Sequence, residues 1–455
     1  MIIREYQARG VYPMTKKVWV ILGIMIFMGL PGMMYAADSA VTAEPEMLSL
    51  DRCLELALNN SQTIKAAEKK VEIAKTAITE ARGAYWPKLD YSIFADKAQE
   101  AIYPYEADLY PGASTDYSGA IISLTQDLYP GGKSANELQL ARIQLDMARE
   151  NERQVKQQLT FQVKQTFYQV WLAERVLKVA ESSLDNMEQH VVRTENLYKI
   201  GTVSKYELLR AGVQRDSLKP QLISAQNDLK MAKLNLAILI GLVKERQYSV
   251  AFNSDQLKIP AQSQLKMDKI LESAYRNRPE IRQVKQTKTL GQYQEKLAKA
   301  GYQPKISLIG QYETKSLDYI SSHWNDGKLW ILSLNITGNI FDGFSTTAKV
   351  KGAQKNVDLT KIQETGLCDQ IRLDVEQAAQ NIQESLEVIN ANQSNIDMAK
   401  ESLEETQERF GEGLATTMDV MDSELALDQA LNGYYKGIAL YLTAQAKLDL
   451  VAGKD

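Results

Sequence analysis

The sequence predicts a mainly α-helical, internally duplicated protein with a smaller β-stranded portion suited to a membrane β-barrel, and three observations predict it. First, the chain is written twice. Adding 217 to each position of 48–89 lands without a gap on a chemically similar residue of 265–306. Asp51, Leu54, Glu55, Ala57, Asn60, Ile64, Ala81, Tyr85, Pro87 and Lys88 recur as Asp268, Leu271, Glu272, Ala274, Asn277, Ile281, Ala298, Tyr302, Pro304 and Lys305. A second match, offset by 212, links Leu128-Tyr129-Pro130-Gly131 to Ile340-Phe341-Asp342-Gly343, and Tyr198, Gly201 and Leu208 to Phe410, Gly413 and Val420. Each half is one copy of the same unit. Second, Gly (25) and Pro (11) are scarce in 455 residues while Ala, Leu, Gln, Glu and Lys abound, the composition of long helices. Third, four segments change from helical three-and-four spacing to strict alternation, the period of a strand.

Several function classes fall away. A net charge of -4, from 53 basic and 57 acidic residues, offers no large basic field for a phosphate backbone, so no nucleic-acid partner is expected. His190 and His323 stand alone, without the clustered His and Cys that zinc requires, and read as surface or packing residues. Cys53 and Cys368 fall on different predicted helices and are expected as free thiols. No nucleophile, base and metal constellation is present, so neither catalysis nor a cofactor is expected.

Residues 1–37 read as an export signal: Lys16 and Lys17, the apolar run Val18 to Leu30, then Pro31 and a small-residue exit at Ala36 and Ala37. The run is too short to span a bilayer. Met14 heads a conventional signal by itself, leaving 1–13 as an upstream extension, and no Cys follows the cut for lipidation. The first repeat covers 38–241. Its helix over 50–84 has apolar spacing at three and four, with Ser49 as N-cap. Strands follow over 86–95 and 119–129, separated by a Pro-, Gly- and Tyr-containing loop, then a long helix over 131–200 and a helix over 204–240. A linker at 242–264, with Pro260, forms an irregular equatorial patch. The second repeat, 265–455, has a helix over 267–300, strands over 304–314 and 329–341, a long helix over 343–411 and a helix over 415–451.

The long helices, near seventy residues without proline, each span on the order of 100 Å. Leu138, Ala141, Leu145, Ala148, Val155 and Leu159 recur near heptad spacing, a coiled-coil-like stripe. The two shorter helices of each copy sum to the length of the long one, so end to end they can flank it.

The strands alternate with one greasy side. Leu89, Tyr91 and Ile93 oppose Lys88, Asp90 and Ser92; Ile122 and Leu124 oppose Ser123 and Thr125. In the second copy Ile306 and Leu308 oppose Lys305 and Ser307, and Leu332, Leu334 and Ile336 oppose Ser333 and Asn335. About ten residues suits a tilted membrane strand with apolar exterior and polar lumen. Tyr85, Trp86, Tyr129, Tyr302 and Phe341 belong at one interface, and Tyr103, Tyr105, Tyr110, Tyr319 and Trp324 beyond the other. Ordinary hairpins with one face on a core are the plain alternative. Four strands cannot close a barrel, and open edges in hydrocarbon are costly, so the chain must oligomerise. A trimer supplies about twelve strands and a lumen, a dimer about eight, nearly filled by side chains. A trimer fits better.

The paired repeats, the Tyr-x-Pro-Lys-Leu/Ile junctions at Tyr85 to Leu89 and Tyr302 to Ile306, and the Gly turns at 201 and 413 resemble the TolC-type outer-membrane efflux protein family. The resemblance covers nearly all the mature chain. It implies a homotrimeric passive exit channel in the outer membrane of a Gram-negative-type cell, embedded in outer-membrane lipid, with an α-helical barrel crossing the periplasm. It also implies a periplasmic adaptor (membrane fusion) protein and an inner-membrane exporter, proton-driven or ABC type, as partners. A soluble periplasmic coiled-coil adaptor or structural protein is the alternative, but it needs no outward-greasy strand pairs.

The resemblance places the periplasmic tips at two turns. Tyr198, Gly201, Ser204 and Glu207 mark the first, with Ser204 to Glu207 as a capping box; Phe410, Gly413, Thr416 and Asp419 mark the second, with a shorter box. Asp419 reads locally as a helix N-terminal carboxylate. Asp422 shares its face at i+3 but lies too deep to cap. In the family the matching acids face the entrance, so Asp419 and Asp422 are expected to form its constriction, a ring that favours cations. This chain has Ala415 where some relatives carry a basic residue, and Phe410 has no hydroxyl, leaving Tyr198 with Glu207 as the candidate polar tie.

Overall fold

The computed structural model describes residues 46–96, 117–242, 248–252, 259–260, 265–316 and 327–454. The chain divides into Met1–Glu44 and Pro45–Asp455, and the described residues all belong to the second unit. The export signal, the loop aromatics Tyr103, Tyr105, Tyr110, Tyr319 and Trp324, His323 and most of the linker lie outside the described residues.

The first copy runs β1 (Glu46–Leu48), α1 (Leu50–Asn60), α2 (Gln62–Gly83), β2 (Lys88–Asp96), β3 (Tyr117–Tyr129), α3 (Lys133–Lys199) and α4 (Lys205–Ile240). After β4 (Tyr248–Val250), the second runs α5 (Met267–Asn277), α6 (Pro279–Lys299), β5 (Lys305–Ser316), β6 (Gly327–Thr337), α7 (Ser345–Gly411) and α8 (Thr417–Val451). The duplication reaches the backbone. Described residues of positive φ fall into pairs 212 apart: Gly131 with Gly343, Gly132 with Phe344, Gly201 with Gly413, and Gly241 with Gly453.

The helices stand side by side in a row. In the half nearer the strands the order is α2, α3, α6, α7; in the other half it is α4, α3, α8, α7. Thus α2 and α4 share one flank of α3, while α6 and α8 fill the space between α3 and α7. None of the described helices is long and apolar enough to cross a membrane. The main core lies at the equator, where Phe167, Trp171, Val163 and Val170 of α3 meet Cys53, Leu236, Ile240, Ile438 and Leu442. Phe252 packs edge-on to Trp171, ring centroids 5.3 Å apart. β1 and β4 add a small parallel sheet there.

Two helices expected to be continuous are broken. The one over 50–84 divides at Ser61 (φ -58, ψ 127), and the one over 267–300 divides at Arg278 (φ -63, ψ 130). Pro279 explains the second, since it lacks an amide hydrogen and pushes the preceding residue out of the helical region. At the first, Asn59-Asn60-Ser61 are weak helix formers that compete for backbone bonds. Each break receives the end of the stacked helix. Asn60 Nδ2 donates to Ile240 O (3.4 Å), while Ser273 Oγ donates to Ala452 O (3.1 Å) and Arg153 bonds both Asn277 O (3.0 Å) and Gly453 O (3.3 Å).

The larger sheet has the order β2-β3-β5-β6, every neighbouring pair antiparallel. It is open, with β2 and β6 as its edges.

Candidate functional site

Cross-strand partners share a face, so the register decides which side chains stand together. Leu89 lies opposite Leu124, Leu124 opposite Gly310 and Gly310 opposite Leu332; Tyr91, Ile122, Tyr312 and Trp330 form the next row. Leu308 pairs with Leu334 and Ile306 with Ile336. Leu89, Tyr91, Ile93, Ile122, Leu124, Ile306, Leu308, Leu332, Leu334 and Ile336 therefore all occupy one face. Ile306 and Leu308 are half-buried and the other eight are exposed, Leu334 by 59% and Tyr91 by 81%. The opposite face carries Lys88, Asp90, Ser123, Thr125, Gln311 and Ser333, interrupted by Phe94, Ile121, Ile309, Leu329 and Ile331. A contiguous greasy face of this kind, left bare, is a partner or membrane surface rather than a solvated one.

Tyr85, Trp86, Tyr129, Tyr302 and Phe341 are exposed at the strand bases. The structure adds Phe344, which the sequence reading passed over. Its φ of 66 is left-handed, where the first copy has Gly132 at φ 78, and its ring meets Phe341 edge-on at 5.5 Å. A bulky residue there costs about 1–2 kcal/mol over glycine. Asp342 steadies the turn: the Thr346 hydroxyl and the Thr346 amide (2.8 Å) both donate to its carboxylate, holding it below the usual carboxylate range.

At the far end both turns are built alike. Gly201 N–H donates to Tyr198 O and Thr202 N–H to Leu197 O, each at 2.9 Å; Gly413 and Leu414 do the same to Phe410 O (3.1 Å) and Arg409 O (2.8 Å). These are Schellman closures, which need the left-handed conformation glycine supplies. Thr416 and Asp419 complete a capping box, Asp419 N–H to Thr416 Oγ1 at 3.3 Å and Thr416 N–H to Asp419 Oδ2 at 2.7 Å. The amide and then the hydroxyl of Thr416 hold the Asp419 carboxyl below its ordinary value. The box expected at Ser204 is half made: Ser204 Oγ accepts from Glu207 N–H (3.3 Å), while Glu207 does not reach back. Nor does a hydrogen bond join Tyr198 to Glu207 among the described residues. Asp419 and Asp422 are both exposed, one turn apart at the start of α8.

Phe410 finds different company. Arg193 of α3 lies 5.0 Å over its ring and His190 stands edge-on at 6.4 Å. His190 is not the isolated side chain its sequence surroundings suggested: Nε2 lies 3.1 Å from Glu424 Oε1 of α8. Nearby, Ser183 Oγ donates to Asp428 Oδ2, and burial pushes the Asp428 carboxyl up despite that bond, helped by the Glu424 charge. Residues more than 230 apart in sequence make these pairs, with no local pattern to announce them.

Comparison with known proteins agrees with this geometry. A family model described as Outer membrane efflux protein matches residues 53–242 and 270–454. The chain is 21% identical over 382 residues to the Outer membrane efflux protein BepC of Brucella suis biovar 1, covering 83% of this chain and 79% of that one. It is 21% identical over 386 residues to the Outer membrane protein TolC of Vibrio cholerae, covering 82% and 83%. A solved structure of CusC superposes with a TM-score of 0.76 at 19% identity, covering 91% of this chain and 96% of that one.

Proposed function

Because the chain belongs to the outer membrane efflux protein family, we infer that it works as the outer-membrane exit channel of a tripartite export system, a passive conduit from periplasm to exterior. The observation that carries this reading is the four-stranded open sheet with one largely apolar, exposed face. Such a sheet is stable in hydrocarbon only when its edges are paired, and β2 and β6 of successive copies supply that pairing in a trimer of twelve strands. Substrate passes without chemistry; the chain contributes a bore, a constriction and docking surfaces.

In this reading the apolar face meets lipid, the opposite face lines the lumen, and the exposed aromatics at the strand bases anchor the periplasmic interface. Asp419 and Asp422 converge from three copies on the entrance. A periplasmic adaptor and an inner-membrane exporter complete the assembly. The test is reconstitution: protein extracted from outer-membrane fractions with detergent, sized as a trimer, and giving discrete conductance in planar bilayers. A mature chain that stays in solution without detergent would sink the channel reading and favour a periplasmic coiled-coil role.

A further inference from the structure

Each long helix carries a stripe of carboxamides. Along α3, Gln144, Asn151, Gln158, Gln162, Gln165 and Gln169 recur at steps of seven, seven, four, three and four, which sets them in one row down one face of the helix. The row is written again 212 residues later on α7, as Asn356, Gln363, Gln370, Asp374, Gln377 and Asn381. Eleven of the twelve positions carry a neutral amide in a chain that is 24% charged, and the one acid, Asp374, is paired with Arg278 Nη1 at 2.9 Å. The amides are free. Among the described residues only Gln370 engages another side chain, donating to Asp374 Oδ1 (2.9 Å). Nine of the eleven are exposed, and Asn151 and Gln165 are half-buried.

The packing of the equator orients the rows. β1, β4 and Phe252 lie over Trp171, Glu174, Arg175 and Lys178, where Ser249 Oγ donates to Glu174 Oε1 (2.8 Å). At about 100° per residue those positions fall on the side of α3 away from Gln165 and Gln169. Arg142, Asp146, Arg149 and Lys156 share that far side. A sheet and loop standing inside a conduit would obstruct it, so in the channel the charged side faces the periplasm and the amides face the bore. Beside Gln158 and Gln162 the α3 row opens into a recess of about 440 Å³, which Asn151, Gln154, Arg278 and Lys447 also line. Arg278 ties the α7 row to the same recess through Asp374. The recess has little free charge: Arg278 is bound by Glu280 and Asp374, and Lys447 lies over the Phe161 ring, 5.3 Å from its centroid.

A carboxamide offers a donor and an acceptor without net charge. Rungs about one helical turn apart, roughly 5.4 Å at Gln158, Gln162, Gln165 and Gln169, let a hydroxyl-rich chain exchange one weak hydrogen bond for the next. Passage needs contacts favourable enough to enter and weak enough to leave. An apolar cargo would strip water from every rung without replacing it, and a polypeptide brings ionised and apolar side chains that the rungs do not match. We propose that the amide rows of α3 and α7 form a hydrogen-bonding track for an uncharged, hydroxyl-rich cargo, a carbohydrate chain, with the recess at Gln158 and Gln162 as its firmest foothold. This substrate class rests on the channel reading.

The test places the full mature chain in planar bilayers and adds, in turn, maltohexaose, a polyethylene glycol of matched size and an unfolded peptide of matched size on the tip side. Maltohexaose should interrupt the current for times roughly tenfold longer than the glycol, the equivalent of about one or two net hydrogen bonds. Gln158→Ala, Gln162→Ala and Gln370→Ala together should remove that excess, whereas Lys156→Ala, on the charged side, should keep it. Equal times for sugar and glycol, a longer time for the peptide, or equal loss in the Lys156 variant overturns the track and leaves the channel reading standing. Saturation-transfer NMR of maltohexaose with the same proteins in a sugar-free detergent is independent of conduction. Binding that the triple variant loses, without any current, would support the track and count against the channel reading alone; neither binding nor current overturns both.

Discussion

Asp419 and Asp428 sit on one helix and are pulled in opposite directions. Asp419 is held low by the Thr416 amide and hydroxyl, so its help to the fold is present above the ordinary carboxylate range and fades as pH falls through its lowered value. Asp428 is pushed up by burial, so its ionisation opposes the fold at neutral pH and that penalty disappears as pH falls through the raised value. Asp428→Asn should therefore raise the melting midpoint by ~2 °C at pH 7, with the gain vanishing in acid, as thermal melts in detergent would reveal. Thr416→Ala should cost about 1 kcal/mol by removing the cap. Changing Asp419 and Asp422 together to Asn should lower cation selectivity and weaken block by multivalent cations, less so in high salt. Unchanged selectivity in bilayers would leave the pair a purely structural feature. Cys53 and Cys368 are free, and burial pushes the Cys53 thiol up to about 11, so Cys368 should react first with a thiol reagent and Cys53 only on unfolding.

At the scale of elements, the strands were legible because alternation acts residue by residue, and one register then sorts every side chain to a face. The prediction is asymmetric. Leu334→Asp, on the apolar face, should impair membrane insertion, whereas Ser333→Asp, on the opposite face, should be tolerated; equal loss in a heat-modifiability assay would refute the lumen assignment. The helix breaks at Ser61 and Arg278 were hidden by apolar spacing that runs straight through them, although Pro279 was a visible stop signal. The His190 and Glu424 pairing was not readable at all, because neither helix signals which face the other will cover. Phe344 shows the same limit: only the backbone reveals that it occupies a left-handed position. Phe344→Gly should relieve about 1 kcal/mol of backbone strain, yet weaken anchoring at the interface, two effects that melting and membrane extraction would separate.

For the whole molecule, the trimer has a direct check: mass in detergent should correspond to three chains, and two would require a barrel too narrow for a lumen. The row of four helices at every height has a metric consequence. Each copy contributes four strands to one zone and four helices to each of the zones below, so three copies place twelve elements around the ring throughout. Strands lie ~4.8 Å apart and tilt by about 40°, giving a circumference of about 75 Å. Helices stand roughly 9–10 Å apart, giving about 115 Å for the same number of neighbours. The perimeter therefore grows by about half where backbone pairing gives way to side-chain packing. In a trimer the helical zone is therefore the roomier stretch and the membrane crossing the tighter gauge.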